Sequence, residues 1–136
     1  MGKDAVLRAL GGFGAPSPGH LRPENAPWLE LRLEDDSWTG DNGLFLGLPQ
    51  WLSEAGILSS PDRRWVVYLK PREGRASYFP ATLLLRLAAG RYSILTWDCE
   101  RASAAGIEVA SAPPLVCSPP CSGSPLVLVI SALTRA

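Results

Sequence analysis

The stretch that decides the fold is Leu126-Val-Leu-Val-Ile-Ser-Ala-Leu133, near the end of the 136-residue chain. It does not alternate apolar and polar residues, and such a nearly continuous apolar run is typical of a strand buried on both faces. It is far shorter than the roughly 20 apolar residues of a membrane-spanning helix, and no other apolar run in the sequence approaches that length. We therefore predict that residues 126–133 form a central strand of a sheet.

Three further segments are predicted to be strands around it. Arg64-Trp-Val-Val-Tyr-Leu-Lys70 is a strong strand pattern, and Arg91-Tyr-Ser-Ile-Leu-Thr-Trp97 is another. Residues 28–34 alternate with period two, which predicts a half-buried antiparallel strand. Residues 106–109 show a weaker strand pattern. No crossover helix of 10–15 residues stands between these segments, so a parallel sheet is disfavoured.

Turn-forming residues are unusually frequent. The sequence has 13 glycines and 13 prolines in 136 residues. Together they make up about 19% of the chain, against an average share of about 12%. So many breakers exclude a helix bundle and indicate an all-β, antiparallel β-sandwich, jelly-roll-like, with one or two short helical turns. The helical turns are predicted at residues 4–10 and 49–56.

The breakers crowd into residues 11–27 and 111–125. We therefore predict a short helix and a Gly/Pro-rich arm or linker over residues 1–27, followed by the β-sandwich domain over residues 28–136. No secretory leader pattern is visible at the start of the sequence, which leaves the localisation open.

Charge and cysteine content exclude several functions. Thirteen Lys and Arg balance 13 Asp and Glu, so neither a nucleic acid nor a membrane surface is an expected partner. Of the three cysteines, Cys117 and Cys121 could form a small disulfide loop or remain free thiols. Zinc is disfavoured because His20 is the only histidine in the sequence.

Signals of catalysis are weak. The sequence has no Walker A, HExxH or GxSxG motif, and His20 falls in the Pro/Gly arm. Asp35, Asp36 and Asp41 share one loop, where solvated turn residues are the default interpretation, and the spacing matches no EF-hand. We expect no catalytic residue, no bound metal and no cofactor.

Five tryptophans in a chain of this length form the most distinctive feature. The strand pattern places Trp65 with Val67 and Leu69 in the core. Trp28 points away from the core, and Trp38 falls in the polar loop. A flat aromatic face suits the apolar face of a sugar ring, but it equally suits contact with another protein. The predicted carbohydrate-binding residues are Trp28, Trp38, Arg32, Asp36, Asp41 and Asn42.

Several short motifs resemble those of a known family. They are Trp65-Val-Val-Tyr-Leu69, Gly90-Arg-Tyr92, Trp97-Asp98 and Leu126-Val-Leu-Val-Ile130, with Pro27-Trp28 upstream. The pattern resembles the β-sandwich domain that follows the TIM barrel in bacterial glycoside-hydrolase-like proteins, a family catalogued as a collagen-binding domain of a collagenase. The resemblance implies an accessory domain packed on a glycosidase barrel.

Three functions follow as hypotheses. The first is a non-catalytic accessory domain of a glycoside hydrolase that binds or positions a polysaccharide or oligosaccharide through exposed tryptophans. The second is a structural or interaction domain that stabilises a neighbouring catalytic domain or a homo-oligomer and has no affinity for sugar. The third is a small stand-alone enzyme, which needs a pocket of converging polar groups that the sequence does not indicate.

Overall fold

The computed structural model describes residues 6, 31–33, 35–47, 52–71, 82–99, 103–118 and 125–133. Most of these residues lie in strands, which confirms the all-β prediction. A 3-10 helix at Asn42–Leu44 follows the first strand. The strands are β1 Thr39–Gly40, β2 Phe45–Gly47, β3 Leu52–Ser60, β4 Arg64–Pro71, β5 Leu83–Leu85, β6 Gly90–Asp98, β7 Ser103–Ala112, β8 Leu115–Cys117 and β9 Leu126–Ala132.

The strands form two antiparallel sheets. The larger has six strands in the order β1-β3-β4-β9-β6-β7, and the smaller has three in the order β2-β5-β8. Strand β9 lies between β4 and β6, so that Leu128 is opposite Val67 on one side and Thr96 on the other. The prediction of a central strand near the end of the chain is confirmed.

The inner face of the six-stranded sheet packs against the three-stranded sheet. Strand β9 contributes Leu126, Leu128 and Ile130 to this layer. The Tyr92 ring is fully buried there, and its hydroxyl donates a 2.6 Å hydrogen bond to the Ala88 carbonyl. The other buried members of the cluster are Ile57, Val67, Leu69, Leu83, Leu85, Leu87, Ile94, Leu115 and Cys117.

The opposite face of the six-stranded sheet, which we call the outer face, carries a second apolar cluster. Residues preceding β1 cover it, among them Val6, Leu33 and Trp38. Strand β9 contributes Val127, because alternate side chains of a strand point to opposite faces. The other buried members of this cluster are Leu58, Val66, Tyr68, Trp97, Cys99 and Val127.

Two predictions of local structure are wrong. Residues 31–33, part of the predicted strand 28–34, form turns instead, with Arg32 at a φ of 51°. The predicted burial nevertheless holds, because Leu33 is buried and Arg32 is exposed. Most of residues 49–56, predicted as helical turns, belong to β3, which pairs along β4. Tertiary pairing outweighs local propensity here. Of residues 4–10, Val6 is described, and it is helical.

We predict that Leu128→Ala lowers the free energy of unfolding by about 2–5 kcal/mol, because it leaves a cavity beside a fully buried strand. The control is Leu133→Ala, which should change it by less than about 0.5 kcal/mol. Leu133 is 53% exposed, and its backbone hydrogen bond to the Arg91 carbonyl survives the change. Urea denaturation of both variants checks this, and equal effects would contradict a two-sided burial of β9.

Candidate functional site

Trp38 is not the exposed platform that its polar neighbours predict. Its side chain is 2% exposed and packs in the outer-face cluster. The indole Nε1 donates a 2.9 Å hydrogen bond to the Leu31 carbonyl, so its polar atom is also satisfied internally. The prediction that Trp38 offers a free aromatic face is therefore wrong.

The loop around Trp38 explains how a polar segment buries a large aromatic ring. Two successive turns reverse the chain, since Asp35 N–H donates to the Arg32 carbonyl and Trp38 N–H donates to the Asp35 carbonyl. These turns bring the indole back over Leu31. The Arg64 guanidinium lies 6.0 Å from the centre of the Trp38 ring, within the range of a cation–π contact. The loop seals the sheet and presents its charges to solvent.

Asp41 and Asn42 have structural roles that continue the β1–β3 ladder. The Asp41 N–H donates to the Ile57 carbonyl at 2.9 Å, and the Asn42 side-chain Oδ1 accepts the Ile57 N–H at 3.1 Å. Asp41 and Asn42 are half-buried.

The remaining predicted carbohydrate-binding residues are not gathered into a described site. Arg32 and Asp36 are both exposed on the turns before β1. Trp28 lies outside the described residues. Over the ranges that the structure describes, no group of three or more His, Cys, Asp or Glu side chains could hold a metal ion.

Two other tryptophans pack against the sheets. Trp65 is partly buried against the inner cluster, in an edge-to-face contact with Tyr92 at 5.6 Å between ring centroids. This agrees with its predicted core position. Trp97 is 7% exposed and belongs to the outer-face cluster, and its Nε1 has no partner in the described part of the chain. The buried Trp97 ring therefore offers no free flat face.

The cysteine chemistry is that of buried thiols. Cys117 is a free, fully buried cysteine, while Cys121, its predicted disulfide partner, lies outside the described residues. Burial, reinforced by Glu108, raises the pKa of the Cys117 thiol to about 12. Burial also raises the pKa of Tyr68 to about 12, with smaller effects from Glu54 and Cys99. Such groups stay protonated near neutral pH and are poor nucleophiles.

Large apolar side chains are exposed on strand β7, which the sequence predicted only as a weak strand without a functional role. Ile107 is 75% exposed and Val109 is 51% exposed. Ile107 lies opposite Leu95 of β6, and Leu95 lies opposite Val129 of β9. An apolar row thus runs across the outer face to its edge. We call Ile107, Val109, Leu95 and the outward edge of β7 the β7 surface.

The edge of β7 is itself open to pairing. Among the described strands, β7 is hydrogen-bonded only to β6. It is ten residues long. Its pairing with β6 has one irregularity, because Thr96 lies opposite Gly106 whereas the next residue, Trp97, lies opposite Ala104. Residues 106–112 beyond that point pair regularly. Natural edges are commonly protected by lysine, proline, brevity, a bulge or an inward-pointing charge. Residues 106–112 contain no lysine or proline, and their one charged side chain, Glu108, accepts the Ser118 N–H.

In the described residues no helix is long and apolar enough to cross a membrane. No family model, curated protein or solved structure matches the chain. The resemblance to the β-sandwich domains of glycoside-hydrolase-like proteins therefore stays a prediction that rests on the short motifs alone.

We predict that Trp38→Ala lowers the free energy of unfolding by about 3–5 kcal/mol, as expected for truncating a buried aromatic ring. Trp38→Phe, which keeps an aromatic ring but loses the hydrogen bond to Leu31, should have the smaller effect, about 1–2 kcal/mol. Chemical denaturation followed by circular dichroism measures both. If Trp38→Ala leaves the denaturation midpoint unchanged, the ring does not serve as core.

We predict that alkaline pH destabilises the fold partly through Cys117. Because the folded-state pKa of about 12 lies above the reference value of 9.0, the folded state holds this proton more tightly. The stability that this raised pKa adds to the folded state is fully present below pH 9 and is lost as the pH rises from 9 towards 12. Between pH 8 and pH 10.5 the free energy of unfolding should therefore fall by about 2 kcal/mol through Cys117.

The measurement compares urea denaturation of the parent with that of Cys117→Ala at both pH values. Tyr68, whose pKa is also raised, is present in both proteins. The difference between their pH dependences of stability therefore reports the Cys117 thiol. An identical pH dependence in the two proteins would show that the Cys117 pKa is not raised by folding.

Proposed function

We propose that this chain is a non-catalytic β-sandwich domain that acts by protein–protein contact through the β7 surface. The single observation that carries the proposal is the exposure of Ile107 and Val109, 75% and 51%, on one face of a strand whose outer edge has no partner among the described strands. Exposed apolar side chains beside an open strand edge are what strand-addition interfaces use.

The chemistry of the described residues favours contact over catalysis. The two cysteines of the described ranges are buried, and the Cys117 thiol is held protonated at neutral pH by burial. Asp41 and Asn42 hold the backbone of β3. The Asn42 side chain and the Asp41 backbone thus serve the fold, whereas Ile107 and Val109 of the β7 surface lie in solvent.

Carbohydrate binding is the less supported function. It requires a free aromatic face with polar groups beside it, whereas the Trp38 ring is buried in the outer-face cluster. An accessory domain that packs on a glycosidase barrel, as the family resemblance implies, would work through a protein contact of the kind proposed here.

Site-specific photo-crosslinking in the full-length protein tests the proposal. A benzophenone amino acid replaces Ile107 in cells of the native host, and the matched control places it at Leu46. Leu46 is also an exposed apolar residue, at 46%, but it lies on β2 in the other sheet. We expect identified protein adducts from position 107 in clear excess over those from position 46.

Two results would contradict the proposal. One is the absence of any protein adduct specific to position 107. The other is retardation of the purified protein by a polysaccharide in affinity electrophoresis that persists in Ile107→Lys and is lost in Trp28→Ala, because it would assign the function to a sugar-binding tryptophan.

A further inference from the structure

We propose that the β7 surface binds a second copy of this chain, with the two β7 strands pairing antiparallel around a two-fold axis at Val109. This inference rests on the proposed function and names its partner. The two six-stranded sheets would join into one continuous sheet, and their outer faces would lie side by side.

The regular part of β7 sets the position of the axis. Residues 106–112 continue without irregularity opposite β6, and Val109 is their midpoint. An antiparallel strand pair related by a two-fold axis places the residue at the axis opposite its own copy. An axis at Val109 therefore pairs this entire stretch with itself, whereas any other axis leaves regular residues unpaired.

The side chains are self-complementary in this register. Val109 lies opposite Val109 of the other copy. Each Ile107 side chain lies diagonally across from the Val109 of the other copy, within contact distance of it. Both residues lie on the outer face, where Leu95 continues the apolar row. The contact would cover the most exposed large apolar side chain among those described, Ile107.

Charge favours this register over its neighbour. The segment Gly106-Ile-Glu-Val-Ala-Ser-Ala112 carries one ionisable side chain, Glu108. An axis at Glu108 would set two carboxylates face to face, which is destabilising. An axis at Val109 sets Glu108 opposite Ala110. Glu108 also turns inward, where its Oε1 accepts the Ser118 N–H at 2.9 Å.

The opposite edge of the sheet gives no such contact. Strand β1 at that edge has two residues, Thr39 and Gly40, which is too short for a strand-addition interface. Residues 54–56 of β3 pair only with β4 among the described strands, but no large apolar side chain is exposed there. A two-fold pairing of β7 with its own copy uses the β7 edge of both chains. The result is a closed dimer rather than a fibre.

Sedimentation velocity of the purified chain tests this pairing. One edge strand and the residues beside it form a small interface, so we expect a weak dimer that appears between about 1 µM and 1 mM protein. Val109→Lys and Val109→Glu should each weaken dimerisation at least about tenfold, because like charges meet at the axis. An equimolar mixture of the two variants should restore the dimer.

Leu46→Lys is the matched control and should dimerise as the parent does. Circular dichroism and the urea midpoint verify that each variant is folded, and Ile107→Lys replaces any Val109 variant that is not. Hydrogen exchange gives a second measure, since alternate amides of residues 106–112 should gain protection as protein concentration rises.

The possible results separate this inference from the proposed function. A monomer throughout the concentration range, or a dimer that neither Val109→Lys nor Ile107→Lys weakens, overturns self-pairing. If position 107 then crosslinks to a different protein, the interaction function stands and only the partner is wrong. If it crosslinks to no protein, both fail.

Discussion

The rest of the structure depends on the burial of β9 on both of its faces. Its backbone is paired on both sides, with β4 and with β6, so no main-chain polar group of the strand needs water. Leu126, Leu128 and Ile130 then fill the layer between the sheets, while Val127 fills the outer-face cluster. A strand with both edges and both faces covered strongly favours apolar side chains, and this is the pattern of residues 126–130.

That constraint explains which parts of the fold were predictable from the sequence. Strands β4, β6 and β9 were predicted because they lie at the centre of the sheet, where burial forces an apolar composition that local reasoning can recognise. The first half of β3 was predicted as helical turns because Pro49 suits the start of a helix and Gly56 its end. Pairing with β4 holds that half in the sheet through a hairpin that turns at residues 61–63, although Ser53 and Glu54 give it no apolar alternation.

The candidate site was less predictable, for a related reason. Alternation along residues 31–33 gave the correct burial of Leu33 but the wrong backbone, since a chain of short turns can bury alternate residues as a strand does. Trp38 was judged by its polar neighbours in sequence, whereas two turns bring it back to the Leu31 carbonyl. Exposure of Ile107 could not be judged either, because residues 106–109 have the pattern of any half-buried strand.

The two edges of the six-stranded sheet differ in a way that bears on function. At the β1 edge the two residues of β1 pair with Leu58 and Ser59, Asp41 and Asn42 bond the Ile57 backbone, and residues 54–56 of β3 pair only with β4 among the described strands. At the β7 edge the sheet ends in a long strand with apolar side chains in solvent. Edge protection costs little in sequence, since one lysine on β7 would provide it. A strand that leaves Ile107 and Val109 in solvent, beside an edge with no partner among the described strands, is therefore better explained by a use for that edge than by tolerance of it.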